Sequence, residues 1–496
     1  MQTFSQKKDK SASFDEPAGD SYVLQLKNGN TFYMEITKKE GIKILLFDTL
    51  RKKIPVGKLD SKLIGDKIGY HISEGVFEIK GDVAIFLQVA EEKRTPILVR
   101  IIVDGKTGKI KFEEKISELE RIKGGAGYAI LVGGVDLPDF NVIKDPESDY
   151  YALIRYNTLA EETKDRIEVI HYNPDHKVIN RANYLAPDNQ FKYTRYLNAY
   201  VNKDNYVVVA TYAFNTKKTG GEEARLYISQ LSKGKSGFKQ QEMPYKDFYK
   251  NVECAFEYNK TKQLIHMSFM TGAKAKGNAI IRDYHFQNIN PGTLKADNIY
   301  EPDFSQVNEY YKETMVNKKD FKGILNKTAI DKSGNMILFF QEKTVVTSSG
   351  TGNSMMATTK TYYGDVAILT VSPAGKTIGS AVFPCNMLGS GGSFSMAMVA
   401  TDNNTYILFN NSVDNMDRPE AKEAKAIKAL GIMVPVKYTY NGSVVKKEYL
   451  FKQPKEKKGN PYCDFSVSHY NPLTKKYAVM YIDPEKDKVC LMYVTL

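Results

Sequence analysis

The chain has 496 residues, of which 42% are hydrophobic and 26% are charged, so it can form a large folded core. Its formal net charge is +12, from 70 basic and 58 acidic residues. Only 11 of the basic residues are Arg, the residue that makes bidentate phosphate and base contacts, and the lysines are scattered through turns. We therefore expect a solvated lysine surface and no nucleic-acid partner. No apolar run approaches the ~18 residues of a membrane helix, so we expect no membrane span.

The N-terminus reads MQTFSQKKDKSASFDEP and contains no signal-peptide core. Met followed at once by QTFSQKK resembles the start of a mature exported Bacteroidetes protein whose signal peptide has been replaced by a start Met. This resemblance implies a natural protein that is periplasmic or extracellular. Residues 1–20 form a separate N-terminal segment, and residues 21–496 form the main domain.

A turn followed by a hydrophobic run occurs eight times along the chain. The copies are NGNTFYMEI (28–36), KGDVAIFLQVA (80–90), DPESDYYALIRY (145–156), NKDNYVVVA (202–210), YNKTKQLIHMSF (258–269), DKSGNMILFF (331–340), TDNNTYILFN (401–410) and NPLTKKYAVMYI (471–482). Asp, Asn and Gly in the turns supply positions that tolerate positive φ, as hairpins require. Each run is predicted to be the second strand of a sheet.

A second alternating strand follows each of these runs. The copies lie at 43–54, 98–110, 167–179, 226–238, 280–294, 366–378, 434–447 and 489–496. The spacing between repeats is roughly 50 to 75 residues, which fits a four-stranded antiparallel blade with variable loops. The sequence therefore predicts an all-β single β-propeller of eight blades, with seven as the alternative. A strand from residues 1–20 is expected to join the C-terminal strands and close the ring.

The pattern D-x-S-G-N followed by aliphatic residues resembles the repeat of secreted Bacteroidetes β-propellers of the broad NHL-like type with six to eight blades. The resemblance covers nearly the whole chain and implies the architecture alone. Enzymes, glycan-binding proteins and scaffolds all use this fold, so the activity must be argued from particular residues.

Most loops between the second and third strands are short and charged, but two insertions, 343–365 and 411–433, are long. The first has an uncharged centre, with Met355 and Met356 at its tip and Tyr362 and Tyr363 near its return. Adaptable thioethers and amphipathic rings are typical of protein-binding loops. The alternative is a hairpin with a disordered tip.

The second insertion contains a helix signal over residues 417–431, with Asp417 as the cap and Gly431 as the stop. Its basic stripe consists of Lys422, Lys425 and Lys428, which would suit an acidic partner. The alternative is a surface helix with solvated lysines. Because the insertions belong to consecutive blades, the sequence predicts one partner-binding site formed by both.

Residues for catalysis or metal binding form no convincing pattern. The six histidines occur singly, apart from HYNPDH at 171–176, and the four cysteines show no CxxC spacing. We expect buried free thiols, no metal and no cofactor. The sequence favours a non-enzymatic, monomeric interaction protein of the bacterial envelope, of which an accessory or plug subunit of an outer-membrane export complex is one form. The alternative is a glycan-binding protein or glycan-active enzyme that uses first strands such as 252–256, 393–399 and 463–469 to line the channel.

Overall fold

The computed structural model describes most of the chain. The described residues are 9–65, 68, 71–91, 94–122, 137–160, 163–187, 191–215, 224–244, 252–276, 279–314, 320–348, 358–389, 394–416, 433–442, 445–451, 459–484 and 488–496.

The chain folds into eight antiparallel sheets, which we call blades one to eight in chain order. The strands that precede and form blades one to four are β1 (Asp9–Lys10), β2 (Asp20–Gln25), β3 (Thr31–Thr37), β4 (Gly41–Phe47), β5 (Lys53–Ile54), β6 (His71–Ile79), β7 (Asp82–Glu91), β8 (Thr95–Val103), β9 (Ile110–Glu118), β10 (Asp139–Lys144), β11 (Tyr151–Tyr156), β12 (Ile167–Tyr172), β13 (Val178–Asn183), β14 (Tyr193–Asn202), β15 (Tyr206–Phe214), β16 (Arg225–Ser232) and β17 (Lys239–Glu242).

The strands of blades five to eight are β18 (Glu253–Asn259), β19 (Leu264–Lys276), β20 (Ala279–Ile289), β21 (Ile324–Ile330), β22 (Met336–Ser348), β23 (Thr358–Val371), β24 (Thr377–Phe383), β25 (Met387–Gly389), β26 (Ala397–Ala400), β27 (Thr405–Ser412), β28 (Met433–Tyr440), β29 (Val445–Tyr449), β30 (Tyr462–Asn471), β31 (Lys476–Asp483) and β32 (Lys488–Thr495). The described helices are α1 (Ser305–Thr314), a 3-10 turn (Thr163–Asp165) and a single turn (Val413–Met416).

Strands that follow one another in sequence are neighbours within each blade, except that β1 joins β32 in blade eight and β25 pairs with β23 in blade six. This order confirms the predicted eight-bladed β-propeller. Blade five has three regular strands, and bridges from Phe286 to Tyr300 and from Ile289 to Ala296 stand in for the fourth. Blade six has a fifth strand, β25, paired with β23. All eight predicted second strands and all eight predicted third strands occur where the repeat placed them.

The predicted pairing of an N-terminal strand with the C-terminal strands is also confirmed. Strand β1 pairs with β32, with Asp9 opposite Tyr493 and Lys10 opposite Met492. The Ser11 N–H donates to the carbonyl of Leu491 over 2.8 Å, and Phe14 bridges Val489 further along. The last strand of blade eight therefore comes from the N-terminal segment.

The turns explain why the repeat has its sequence. In the first hairpin of blade six, the N–H groups of Ser333 and Asn335 each donate to Asp331 Oδ1 over 2.8 Å. Gly334 has a φ of +82°, which favours glycine. Four other first hairpins contain a non-glycine residue with positive φ: Lys80, Lys203, Gln263 and Lys475.

The chain forms two compact units. Unit 1 consists of Met1–Thr31, Phe47–Lys53 and Pro302–Leu496, and it contains blades six to eight. Unit 2 consists of Phe32–Leu46 and Ile54–Glu301, and it contains blades two to five. Within each unit the hydrophobic clusters lie between neighbouring blades, for example between blades three and four in unit 2 and between blades seven and eight in unit 1.

The four cysteines, Cys254, Cys385, Cys463 and Cys490, are free thiols, and all but Cys254 are buried. Cys463 and Cys490 both lie opposite Tyr481, on the two sides of β31, so they are two strands apart. In the described part of the chain, no helix is both long and apolar enough to cross a membrane.

Candidate functional site

The first insertion is a β-hairpin that continues beyond its blade. Strands β22 and β23 remain paired from Lys343 opposite Tyr363 to Ser348 opposite Thr358. The neighbouring strands end earlier, because the pairing of β21 stops at Gln341 and that of β24 stops at Val366. We call residues 343–348 and 358–363 the blade-six hairpin.

Strand β25 supports one side of this hairpin. It pairs with β23 at three positions, where Tyr363 lies opposite Met387, Tyr362 opposite Leu388 and Thr361 opposite Gly389. Met387 is fully buried, so it anchors β25 to the blade. The predicted partner-binding residues Tyr362 and Tyr363 therefore lie on an ordered, laterally supported strand.

The hairpin exposes apolar side chains on both faces. Val345 is 53% exposed and Tyr362 is 40% exposed. Because side chains alternate along a strand, Lys343, Val345 and Tyr363 share one face and Tyr362 lies on the other. The Lys343 ammonium is 5.8 Å from the centroid of the Tyr363 ring, within range of a cation–π interaction.

The other predicted partner-binding residues lie outside the described part of the chain. These are Met355, Met356, Lys422, Lys425 and Lys428, together with the predicted helix over 417–431. The connection from β27 is described as far as the helical turn Val413–Met416. The structure thus places two of the seven predicted residues, and the joint site formed by both insertions stays a prediction.

Helix α1, which the sequence analysis did not predict, packs at the base of the blade-six hairpin. Helix α1 begins where Asp303 Oδ1 accepts the Ser305 N–H over 2.9 Å, a standard N-cap. Its Val307 and Tyr311, four residues apart, are buried against blade six. The sequence offered two signals for this helix, the capping residue Asp303 and the four-residue spacing of Val307 and Tyr311. They are weak signals, because they belong to a single ten-residue helix in a chain made mostly of strands.

Tyr311 connects two carboxyl groups at the point where the hairpin leaves the blade. Its hydroxyl is 3.2 Å from Glu342 Oε2 and 3.1 Å from Asp365 Oδ2. Burial raises the pKa of Glu342 above its usual value. The Tyr311 hydroxyl has one proton and faces both carboxyl groups, so it donates to one of them at a time. Tyr311, Glu342 and Asp365, which we call the Tyr311 cluster, therefore link α1 to β22 and β23.

Unit 2 contains a second polar group, formed by the first strands of four consecutive blades. Its members are Glu74 on β6, Asp139 on β10, Tyr196 on β14 and Cys254 on β18. Burial, followed by the charge of Asp139, raises the pKa of Glu74 to about 8. Burial also raises the pKa of the Tyr196 hydroxyl, with smaller contributions from Cys254, Asp139 and Glu74.

A β-bulge explains how Glu74 joins this group. The register of β6 shifts between Ser73 and Gly75, so Glu74 has no opposite residue on β7. Such bulges redirect single side chains, often beside functional sites. Glu74 Oε1 is buried and has no hydrogen-bond partner among the described atoms. Sequence reasoning missed the group because its members lie in four separate repeats.

The histidines of the HYNPDH segment have separate surroundings. His171 is fully buried in β12, and burial lowers its pKa to about 4. His176 lies in the following turn with a φ of +62°, and its Nδ1 is 3.0 Å from the Tyr151 hydroxyl. Across the described ranges, no group of three or more His, Cys, Asp or Glu residues is arranged to hold a metal ion.

The eight sheets define the class of the protein as a β-propeller. No family model matches the chain, and no curated protein matches it. Similar solved structures include the β-propeller domain of the Trilobed protease from Pyrococcus furiosus, with 9% identity and a TM-score of 0.35 over 86% of this chain and 96% of that one.

The WD40 domain of SCAP from fission yeast has 6% identity and a TM-score of 0.36 over 97% of this chain and 98% of that one. One of two prolyl endopeptidases has 12% identity and a TM-score of 0.34 over 85% of this chain and 54% of that one. Similarities this distant support no conclusion about activity or partner.

Proposed function

We propose that this chain is a non-enzymatic interaction protein that binds a protein partner through the blade-six hairpin, with the blade-seven insertion as a second part of the same surface. The observation that carries the proposal is the hairpin itself. It extends past its blade, is supported by β25 and α1, and exposes Val345 and Tyr362. Rigid support together with exposed aliphatic and aromatic groups is what an interaction surface requires.

The proposed setting is the envelope of a Bacteroidetes-like bacterium, where the protein would be periplasmic or extracellular. Support comes from the resemblance of the repeat to that of secreted Bacteroidetes propellers. Within this setting, an accessory or plug subunit of an outer-membrane export complex is the specific form of the proposal. Fractionation of source cells with an antibody against the chain tests the setting, and recovery in the cytoplasmic fraction would contradict it.

The test of the binding surface is affinity capture from envelope extract with the tagged chain. A variant with Val345→Ser and Tyr362→Ser removes the exposed apolar groups of the hairpin. The matched control carries Leu50→Ser and Leu473→Ser, since these leucines are 73% and 71% exposed elsewhere in unit 1. We expect the hairpin variant to lose the partner about tenfold or more, and the control to retain it. Equal retention by both variants would contradict the proposal.

The second candidate is a glycan-binding or glycan-active protein that uses the first strands of unit 2. The observation that favours it is Glu74, a carboxyl group with a raised pKa next to Asp139 and Tyr196. A protonated carboxyl near neutral pH can serve as a general acid or hydrogen-bond donor to a sugar. A glycan array would test this, with Glu74→Gln as the variant. Glycan binding that Glu74→Gln abolishes, together with no protein capture, would favour this candidate over the first.

A further inference from the structure

In the described part of the chain, one edge of the blade-six hairpin has no pairing strand. From Lys343 to Ser348, β22 pairs with β23 on one side. Its pairing with β21 ends at Gln341, and β25 covers the far side of β23. Within the described residues, no strand pairs with the outer side of β22 over 343–348. Lys343, Thr344 and Val345 are exposed to solvent.

The composition of this edge suits strand addition. The segment reads KTVVTS, with four consecutive β-branched residues, Thr344 to Thr347, and no proline. Proteins usually protect open edges with proline, bulges or several charges. Here Lys343 is the one charged residue of the segment. Unpaired backbone N–H and C=O groups on such an edge are a template for an added strand.

Charge indicates what kind of strand would pair there. Residues 343–364 contain two lysines, Lys343 and Lys360, and no Asp or Glu. The chain as a whole has a formal charge of +12. Two copies of a chain with this net charge repel each other, which disfavours pairing of the edge with a second copy. An acidic strand from another protein would instead form opposite-charge pairs.

We propose that residues 343–348 of β22 bind an extended segment of an acidic partner protein by β-strand addition, with acidic and β-branched side chains alternating along that segment. The added strand would satisfy the open backbone groups and place a carboxylate next to Lys343. This inference rests on the proposed function, because it specifies how the partner occupies the same hairpin.

The test uses a capped octapeptide that alternates glutamate and valine, followed by hydrogen–deuterium exchange. We expect binding to slow the exchange of amides within 343–348 by about tenfold, since strand addition places backbone hydrogen bonds there. Added salt should weaken binding, because the charge pairs are exposed. Binding without protection of these amides would overturn strand addition.

Charge reversal provides the matched variants. Lys343→Glu should weaken the acidic peptide about three- to tenfold and should favour a peptide that alternates lysine and valine. Lys376→Glu, an exposed change in the turn after β23, should leave both peptides unaffected. Equal effects of Lys343→Glu and Lys376→Glu on peptide binding would overturn the assignment of the binding edge to residues 343–348.

The outcomes also separate this inference from the proposed function. If Val345→Ser with Tyr362→Ser abolishes capture but the captured partner gives no protection over 343–348, the interaction role stands and strand addition is wrong. If that variant still captures the partner, both the proposed interaction role of the hairpin and the strand-addition inference are wrong. Self-association of the chain that Lys343→Glu abolishes would assign the edge to a second copy and overturn the acidic partner.

Discussion

Single residues determine the turns of this fold. Asp331 accepts two backbone N–H groups, while Gly334 supplies the positive φ. Four other first hairpins place Lys or Gln in positive φ, which costs roughly 1–2 kcal/mol at each position. These turns tolerate that cost because neighbouring strands enforce the hairpin. Individual turn residues therefore tune local stability without deciding the fold.

Gly334→Ala should weaken the first hairpin of blade six by about 1–2 kcal/mol, because alanine resists the φ of +82°. The measurement is hydrogen exchange of β21 and β22 amides, which should become faster. Ser333→Ala is the control, since the exposed Ser333 contributes its backbone N–H to the turn and alanine keeps that group. Equal exchange in the two variants would show that the glycine is not needed.

Glu74 should make stability fall as pH rises. Its folded pKa of about 8 lies above the usual 4.5, so the folded state binds a proton more tightly than the unfolded state. The stabilisation is complete below about pH 4.5 and is lost as the pH rises to about 8. Urea unfolding at a series of pH values should show this decline in the native chain and a weaker decline in Glu74→Gln. Parallel curves would contradict the raised pKa.

At the scale of elements, the sequence predicted the second and third strands of every blade and missed α1. The inner strands were predictable because they are continuous hydrophobic runs after recognisable turns. The edge strands β5 and β25 have two and three residues, too few to form a pattern. Helix α1 carries just two buried residues, Val307 and Tyr311, so its periodicity is weak.

The candidate site was predictable only in part. Tyr362 and Tyr363 were found because the insertion is unusually long and uncharged. The Tyr311 cluster, formed by Tyr311, Glu342 and Asp365, was not predicted, because it links the unpredicted helix α1 to a bulge in β22 and β23. Contacts between elements that pair with no regular register leave no periodic signal in a single sequence.

Shortening the blade-six hairpin should leave the blade intact. Replacing residues 347–358 by one glycine connects the paired residues Val346 and Lys360 through a two-residue loop of that glycine and Thr359, a length suited to hairpins. We expect a thermal midpoint within about 2 °C of the native chain, because hairpin tips contribute little to a core. A large drop would show that the tip packs against the blade. Lys343, Val345 and Tyr362 remain in this variant.

At the scale of the whole molecule, closure depends on a short N-terminal strand. Deleting residues 9–15 removes the pairing with β32 and the bond from Leu491 N–H to Ser11 Oγ. We expect Cys490, which is 7% exposed, to react with a thiol reagent much faster after the deletion. Cys385, which is 3% exposed in blade six, should keep its rate and serves as the internal control. Unchanged labelling of Cys490 would mean that blade eight holds without its fourth strand.

The pairing of β1 with β32 also sets the order of events during synthesis. Ser11 and Leu491 are 480 positions apart. At the usual ribosomal rate of roughly 5–20 residues per second, β1 waits about 24–96 s for its partner. Blades two to seven can form from the strands already made, whereas blade eight cannot be completed until β32 has been synthesised. A nascent chain stalled before residue 488 would therefore carry an unpaired β1, open to chaperones.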